Sequence, residues 1–277
     1  MTLVCSVDFL DGRVFPFLRE YYRDLIPIDV LREARFEIAK CADCGFLWQT
    51  YVLGPGWSGT LYEEWIDADA SLKKREAAGT GYRAKLADFT SRVGSLIGRP
   101  SGRMLDFGMG WGHWCATANA SGMDAIGCEV SDRRIAYAAS LGVRAVKDIR
   151  DLPDGSFSFI NADQVFEHVE RPRELLQGLV DKLRPGGLLH LAVPDGSGTE
   201  ARFKKPWTAG KDACHPLEHI NTFTRKTLER LGTSAGLRPI FVLPSRNPVL
   251  LDAGRRLPYR LFGRLANTNM YFEKSDA

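Results

Sequence analysis

The stretch Asp106-Phe107-Gly108-Met109-Gly110-Trp111-Gly112 decides the fold, because it joins a short apolar run to a helical pattern. The run RMLDFG, residues 103–108, predicts a buried strand, and residues 111–122 predict a helix. Glycines at such a junction let the backbone approach a ligand closely and let the helix start tightly against the sheet. The junction therefore predicts either a ligand-binding loop or a tight turn that binds nothing.

Outward from this loop, short apolar runs alternate with helical patterns. Such alternation predicts an α/β fold, a Rossmann-like, doubly wound and mostly parallel sheet covered by helices on both faces. Ligands of these sheets bind outside the carboxyl ends of the strands. The seven predicted strands are 103–108, 124–130, 143–148, 157–165, 187–193, 237–243 and 270–274, and the helices between them are 111–122, 133–142, 171–187 and 224–237.

The glycine spacing separates two classes of ligand. The dinucleotide fingerprint needs G-x-G-x-x-G, but here Gly108 and Gly110 are followed by His113 at the last position. An acid, Asp106, precedes the first glycine by two residues. It would repel a pyrophosphate and suits a ligand with a cationic amino group. The glycine spacing and Asp106 therefore argue against a nicotinamide-dependent oxidoreductase, which stays an alternative.

The loop resembles motif I of class I S-adenosylmethionine (SAM)-dependent methyltransferases. Two later segments, LRPGGLLHLAVPD and HPLEHINTFTRKTLERLGTSAGL, resemble the corresponding segments of that family and follow in the same order. The resemblance is to the small-molecule, ubiquinone-biosynthesis type, and it covers residues 102–244. The resemblance implies SAM as cofactor, with Glu129 accepting hydrogen bonds from both ribose hydroxyls and Asp148 near the adenine amine, beside Ile149. The cofactor-binding residues that it implies are Asp106, Gly108, Gly110, Glu129, Val130, Asp148, Ile149 and Gln164.

Two histidines follow strands at the expected ligand edge. His168 comes after the fourth predicted strand and His219 after the fifth, where the resemblance places the methyl acceptor. Either one is a candidate catalytic residue, as a general base or as a group that orients the acceptor. The alternative is that each fixes a loop by hydrogen bonding. In some ubiquinone-type relatives an acid-x-x-Glu-His turn is associated with a divalent metal, but Gln164 replaces the first acid here, which argues against a metal at this turn.

The expected function is methyl transfer from SAM to a small-molecule or glycan-precursor acceptor, at oxygen. A non-catalytic SAM-binding module of the same fold is the main alternative. The fourth predicted strand ends in Ala162-Asp163-Gln164-Val165, where nucleic-acid methyltransferases have an Asn-Pro-Pro-aromatic or a Pro-Cys turn. No nucleic-acid partner is therefore expected, and the sequence does not reveal the oligomeric state.

Residues 1–80 differ in character from the rest and predict an accessory segment of short strands and turns, whereas 61–97 predicts a helix. The CxxCG knuckle at Cys41 and Cys44 is typical of zinc sites. In relatives with an amino-terminal zinc ribbon a first CxxC precedes the second, and here Cys5 keeps its place while Asp8 replaces the second thiolate. Cys5, Cys41 and Cys44 are thus candidate zinc ligands, and a degenerate, metal-free ribbon is the alternative.

Composition sets the remaining expectations. The 277 residues carry a net charge of +3, and no apolar run approaches the roughly 18 residues that span a bilayer. The cysteine spacing forms no disulfide framework. A cytoplasmic protein is therefore expected. Residues 81–277 are expected to form the SAM-binding domain, with 245–269 as a lid-like insertion. That insertion alternates arginines with apolar residues, a pattern that also fits peripheral membrane contact.

Overall fold

A computed structural model describes residues 1–98, 102–242, 256–257 and 268–275. They form two sheets: a large α/β sheet and a smaller antiparallel sheet built mainly from the amino-terminal segment. Within this part of the chain, no helix is long and apolar enough to cross a membrane. The lid-like insertion expected at 245–269 lies almost entirely outside the described residues.

In the described residues, the large sheet has seven longer strands and a two-residue strand at one edge. They are β4 (Arg103–Phe107), β5 (Asp124–Cys128), β6 (Arg144–Val146), β7 (Phe157–Asp163), β8 (Leu183–Ala192), β10 (Leu237–Val242) and β12 (Asn269–Lys274), with β11 (Arg256–Leu257) at the edge. Their order in the sheet is β11-β10-β12-β8-β7-β4-β5-β6. The central pairs are parallel, and β12 is antiparallel to both of its neighbours, so the sheet is mostly parallel as the alternating pattern predicts.

The order of the strands reverses at β4, which lies between β5 and β7. This is the switch point at which open α/β sheets form a ligand crevice. Met104 and Leu105 point to opposite faces of β4 and pack into two separate apolar cores, as the two-residue period of a strand requires. Helices cover both cores: α5 (Gly79–Ile97), α6 (His113–Ala120), α7 (Asp132–Ser140), α8 (Pro172–Lys182) and α10 (Arg225–Ser234).

The elements of the smaller sheet and its surroundings are β1 (Thr2–Asp8), α1 (Phe15–Tyr21), α2 (Ile28–Leu31), β2 (Arg35–Lys40), β3 (Leu47–Gln49), α3 (Pro55–Thr60), α4 (Ala68–Ala77), α9 (Thr199–Phe203) and β9 (Asn221–Thr222). The sheet has the order β1-β2-β3-β9, and all of its pairs are antiparallel. Strand β9 follows β8 of the large sheet in the chain, and Cys214 and Leu217 from the same region join the core of the smaller sheet. The boundary at residue 80 stays a prediction.

Two predicted helices differ in their limits. The pattern over 61–97 predicts one helix, but the structure has a π-helical turn over Leu61–Trp65 and then α4 and α5. The break falls at Asp67, whose carboxylate caps α4 by accepting the N–H of Ala70. The helix predicted over 171–187 ends at Lys182, and its terminal glycine pair belongs to β8.

Candidate active site

The loop after β4 is shaped by three glycines. Gly108, Gly110 and Gly112 have φ angles of +71°, +57° and +74°, a region that side chains with a Cβ rarely adopt. A Cβ at Gly108 would also lie 2.5 Å from Cγ2 of Val165 in the turn after β7. Glycine is therefore required at residue 108 both by conformation and by the close approach of the neighbouring loop.

Glu129, directly after β5, holds this loop. Its buried carboxylate accepts the backbone N–H of Gly110 on Oε2 at 3.0 Å, and those of Val130 and Ser131 on Oε1 at 2.9 and 3.1 Å. Charge-assisted bonds to backbone N–H groups are among the stronger hydrogen bonds in proteins. Three of the acceptor positions of Glu129 are thus already used to shape the loop, a role that the sequence alone does not reveal.

Asp106 lies behind the loop. It is buried, its Oδ1 accepts Nδ2 of Asn161 at 2.7 Å, and it is not among the residues that line the adjacent cavity. Asn161 in turn contacts Nδ1 of His190 at 2.7 Å. Burial raises the pKa of Asp106 to about 7. The structure therefore gives Asp106 a supporting position, where the sequence comparison implies a cofactor-binding one.

A cavity of about 570 Å³ opens at the carboxyl ends of β4, β5, β6 and β7. This volume lies within the roughly 300–1,000 Å³ range of small-ligand sites. His219 does not line this cavity. The structure brings eight of the residues predicted for the site to its wall: Gly108, Gly110, Glu129, Val130, Asp148, Ile149, Gln164 and His168.

Asp148 stands at the outer end of this cavity. Its carboxylate accepts the backbone N–H of Arg150 at 2.8 Å and the Nε of the same residue at 2.9 Å. These hydrogen bonds with Arg150 lower the pKa of Asp148 to about 2. Asp148 thus lines the predicted adenine end as a charged acceptor that is also engaged by its own loop.

The opposite end of the cavity holds two side chains of opposite charge that the sequence patterns did not single out. Arg75 from α4 and Asp163 at the end of β7 both line the wall. The guanidinium of Arg75 lies over the glycine loop, with Nη1 3.5 Å from the position of a Cβ at Gly110. Burial raises the pKa of Asp163, and the nearby Arg75 opposes that shift. In the sequence, Asp163 could be noticed as an acid at the end of a predicted strand. No motif distinguishes Arg75 from the other residues of its helix.

A second cavity of about 470 Å³ adjoins the first. The two share five lining residues, which form the wall between them. The second cavity is otherwise lined by five apolar side chains and four polar ones. They are Val52, Leu53, Leu61, Leu217 and Ile220, and Ser58, Glu170, Arg171 and Glu174. The shared residues are Tyr62, Phe107, His168, Val169 and Leu175.

The two candidate catalytic histidines are brought together. The ring centroids of His168 and His219 lie 4.9 Å apart. Nδ1 of His168 donates to the carbonyl oxygen of Glu218 at 2.9 Å, and Nδ1 of His219 donates to that of Asp212 at 2.5 Å. Burial lowers the pKa of His168 to about 3 and that of His219 to about 4. Both imidazoles are therefore neutral at physiological pH, with Nε2 as an unprotonated acceptor.

Further polar groups that the sequence analysis did not single out surround these histidines. The hydroxyl of Tyr22 donates to Oε1 of Glu218 at 2.8 Å and lies 3.3 Å from Nε2 of His215. Burial raises the pKa of Glu218, while its bond from Tyr22 opposes that shift. Glu218 lines the first cavity. The only sequence signal was its position beside His219 in the segment LEHI.

The three candidate zinc-binding cysteines do not converge. Cys5 packs into the core of the smaller sheet, together with Cys214, and it pairs with Ile38 in the neighbouring strand. Cys41 and Cys44 lie in the turn after β2. Among the described residues, no group of potential metal ligands includes any of these cysteines. The three-cysteine zinc site is therefore not supported, because β1 directs Cys5 into the apolar core.

Comparison with known proteins places this architecture among methyltransferases. The plantazolicin methyltransferase BamL, solved with a triazolic desmethylPZN analogue and SAH, is 16% identical with a TM-score of 0.56, over 79% of this chain and 94% of that one. The 1,6-didemethyltoxoflavin-N1-methyltransferase of Burkholderia thailandensis, solved with 1,6-didemethyltoxoflavin and S-adenosylhomocysteine, is 17% identical with a TM-score of 0.51, over 86% and 100%. These likenesses concern the fold. No curated protein matches the chain.

A family model described as a methyltransferase domain matches residues 79–241, more than half of the chain, and the chain therefore belongs to that methyltransferase family.

Proposed function

We propose that this protein transfers a methyl group from SAM to a small-molecule acceptor, at an oxygen atom. The observation that carries the proposal is the arrangement of Glu129 and the glycine loop at the edge of the first cavity. The family assignment gives methyl transfer as the class of reaction. When bound, SAM supplies a methyl group on a positively charged sulfur.

The residues of the first cavity fit the three parts of SAM. Oε2 of Glu129 accepts one hydrogen bond, from the N–H of Gly110, and pairs with Nη1 of Arg134 at 3.6 Å. A ribose hydroxyl can donate to the second lone pair of this oxygen. Ile149 offers an apolar surface to the adenine ring. Arg75 and Asp163 offer opposite charges at the other end, which complement the carboxylate and amino groups of the methionine part.

The second cavity is the proposed acceptor site, because it meets the first at a shared wall. His168 lies in that wall, and its Nε2 can accept a hydrogen bond from an acceptor hydroxyl. Its pKa of about 3 makes it a weak base, since an effective general base has a pKa near the operating pH. We therefore assign His168 to orienting the acceptor. The apolar side chains of the second cavity would help to exclude water from the reacting atoms once an acceptor is bound.

Calorimetric titration of the full chain with SAM, S-adenosylhomocysteine and NAD⁺ tests the cofactor assignment. We expect binding of the first two in the micromolar range and none of NAD⁺. Preferential NAD⁺ binding would instead favour the oxidoreductase. Transfer of isotopically labelled methyl from SAM to a panel of small hydroxyl and amine compounds then tests catalysis. Tight SAM binding with no transfer to any compound would favour the non-catalytic module.

A further inference from the structure

We propose that a third cavity, between the turn after β2 and helices α8 and α10, binds a small aromatic carboxylate that is not the methyl acceptor. Phe46, Trp48 and Phe223 form its aromatic side, and Arg173 and Arg230 are its basic residues. Its volume of about 310 Å³ lies at the lower end of the roughly 300–1,000 Å³ range of small-ligand sites. None of the described residues that line it also lines the first or the second cavity, so it is a separate site.

The aromatic side of the third cavity suits a planar ring. Trp48 lies in β3 and Phe46 directly precedes that strand, so the two-residue period places both side chains on one face. Their rings are nearly parallel, at 14°, with centroids 6.1 Å apart. Both side chains are half-buried, whereas Phe223, whose ring centroid lies 5.0 Å from that of Phe46, is buried. Phe46 and Trp48 therefore offer a ligand apolar surface that the described part of the chain does not cover.

The two arginines indicate the charge of the ligand. No Asp or Glu is among the described residues that line this cavity. Arg230 donates to the backbone carbonyl of Asp43 at 3.4 Å, and neither guanidinium pairs with a carboxylate of the described chain. By contrast, Arg171, close to Arg173 in the chain, pairs with Glu174. Because a guanidinium binds a carboxylate through two parallel hydrogen bonds, charge complementarity favours an aromatic carboxylate over a neutral ring.

The first turn of α8 separates the third cavity from the proposed acceptor site. Pro172 and Arg173 line the third cavity, whereas Glu174 and Leu175, the next residues of the same turn, line the second. The methyl group of SAM is expected in the first cavity, which has no described lining residue in common with the third. A ligand of the third cavity therefore binds beside the site of methyl transfer and not in it. This relation to the acceptor rests on the proposed function, whereas the binding site itself does not.

Calorimetric titration of the full chain with 2-naphthoate, in the absence of SAM, tests the site. The matched neutral ligand is 2-naphthamide. We expect one equivalent of naphthoate to bind in the micromolar range and naphthamide to bind about tenfold more weakly, because only the carboxylate receives charge-assisted hydrogen bonds from both partners. Excess S-adenosylhomocysteine should leave the affinity for naphthoate unchanged, because it would occupy the first cavity.

Arginine variants separate the charged part of the site from the aromatic part. Arg173→Gln and Arg230→Gln should each weaken naphthoate binding about tenfold and leave the affinity for naphthamide unchanged. Both arginines are exposed, so the melting temperature of the ligand-free variants should stay that of the wild type. Lys226→Gln is the control, since it removes an exposed positive charge from α10 that does not line the cavity. Trp48→Leu should weaken both ligands, because it removes an aromatic surface.

Alkylation of Cys41, which lines the same cavity, gives a second readout. Saturating naphthoate should slow the labelling of Cys41 by iodoacetamide, and an unchanged labelling rate would place the ligand elsewhere and overturn the proposal. It is also overturned by absent naphthoate binding, by equal affinities for the two ligands, by displacement with S-adenosylhomocysteine, or by unchanged affinity in both arginine variants. Naphthoate binding that weakens as the protein concentration rises would show that a second copy of the chain covers the cavity, against the proposal. Since the titration needs no SAM, failure here is distinct from failure of the cofactor assignment.

Discussion

The carboxylate of Glu129 accepts the backbone N–H of Gly110 at 3.0 Å, and this bond ties the end of β5 to the loop that follows β4. The two strands are parallel neighbours, so their carboxyl ends meet at one edge of the sheet. Oε1 of the same carboxylate holds Val130 and Ser131. The residue expected to bind the ribose is therefore also the residue that shapes the glycine loop.

Glu129→Gln should reduce the affinity for S-adenosylhomocysteine about 10- to 100-fold, because at least one loop N–H then faces an amide donor and each charge-assisted bond contributes roughly 1.5–3 kcal/mol. Calorimetry measures the change. Asp132→Asn is the matched control, since it removes an exposed carboxylate at the start of α7 that pairs with Lys147 and does not line the first cavity. Equal affinities of Glu129→Gln and Asp132→Asn would contradict the assignment.

Gly108→Ala should destabilise the fold more than Gly110→Ala. Both residues have positive φ, which costs a non-glycine residue about 1–3 kcal/mol. Only at residue 108 does the new Cβ also meet Val165, at 2.5 Å, whereas at residue 110 it meets the flexible end of Arg75 at 3.5 Å. Urea unfolding of both variants measures the difference. Adding Val165→Ala to Gly108→Ala should recover the part of the free energy of unfolding that is lost to the steric contact. No recovery would show that this contact is not the cause.

The features that could be predicted from the sequence are those that depend on residues close together in the chain. Alternating apolar runs predict β4 to β8, and the motifs at the strand ends predict eight of the residues that line the first cavity. Arg75, Glu218 and the pairing of β3 with β9 could not be predicted in this way. Each depends on segments far apart in the chain meeting in space, and a single sequence carries no local signal for such a meeting.

Cys41 should react with iodoacetamide before the other cysteines. Backbone N–H groups of Cys44 and Asp43, and then the Cys44 thiol, lower the pKa of Cys41. Burial instead raises the pKa of Cys5 to about 11 and that of Cys214 to about 12. The thiolate is the reactive form, so modification should start at the knuckle. Peptide mapping of chelator-treated protein near pH 7.5 tests this, and early labelling of Cys5 or Cys214 would contradict it.

The buried carboxylate of Asp106 should give the protein a distinctive dependence on pH. Its pKa is about 7 in the folded state, against about 3.9 for an unperturbed aspartate. Between these values the folded state holds a proton that the unfolded chain releases. The contribution of Asp106 is therefore fully present below about pH 4 and is lost as the pH rises through 7.

Asp106→Asn should remove this dependence while preserving the acceptor for Nδ2 of Asn161, which bonds to Oδ1 of Asp106 at 2.7 Å. The neutral amide cannot ionise, so the variant should gain on the wild type by up to a few kcal/mol as the pH rises from 5 to 8, at about 1.4 kcal/mol for each unit of pKa shift. Urea unfolding of the ligand-free proteins at both pH values measures the gain. Asp106→Ala, which leaves Asn161 without its acceptor, should be less stable than Asp106→Asn at both values. If the free energies of unfolding of the wild type and Asp106→Asn change in parallel between pH 5 and 8, Asp106 is ionised throughout this range. Its surroundings then offset the cost of burying the charge.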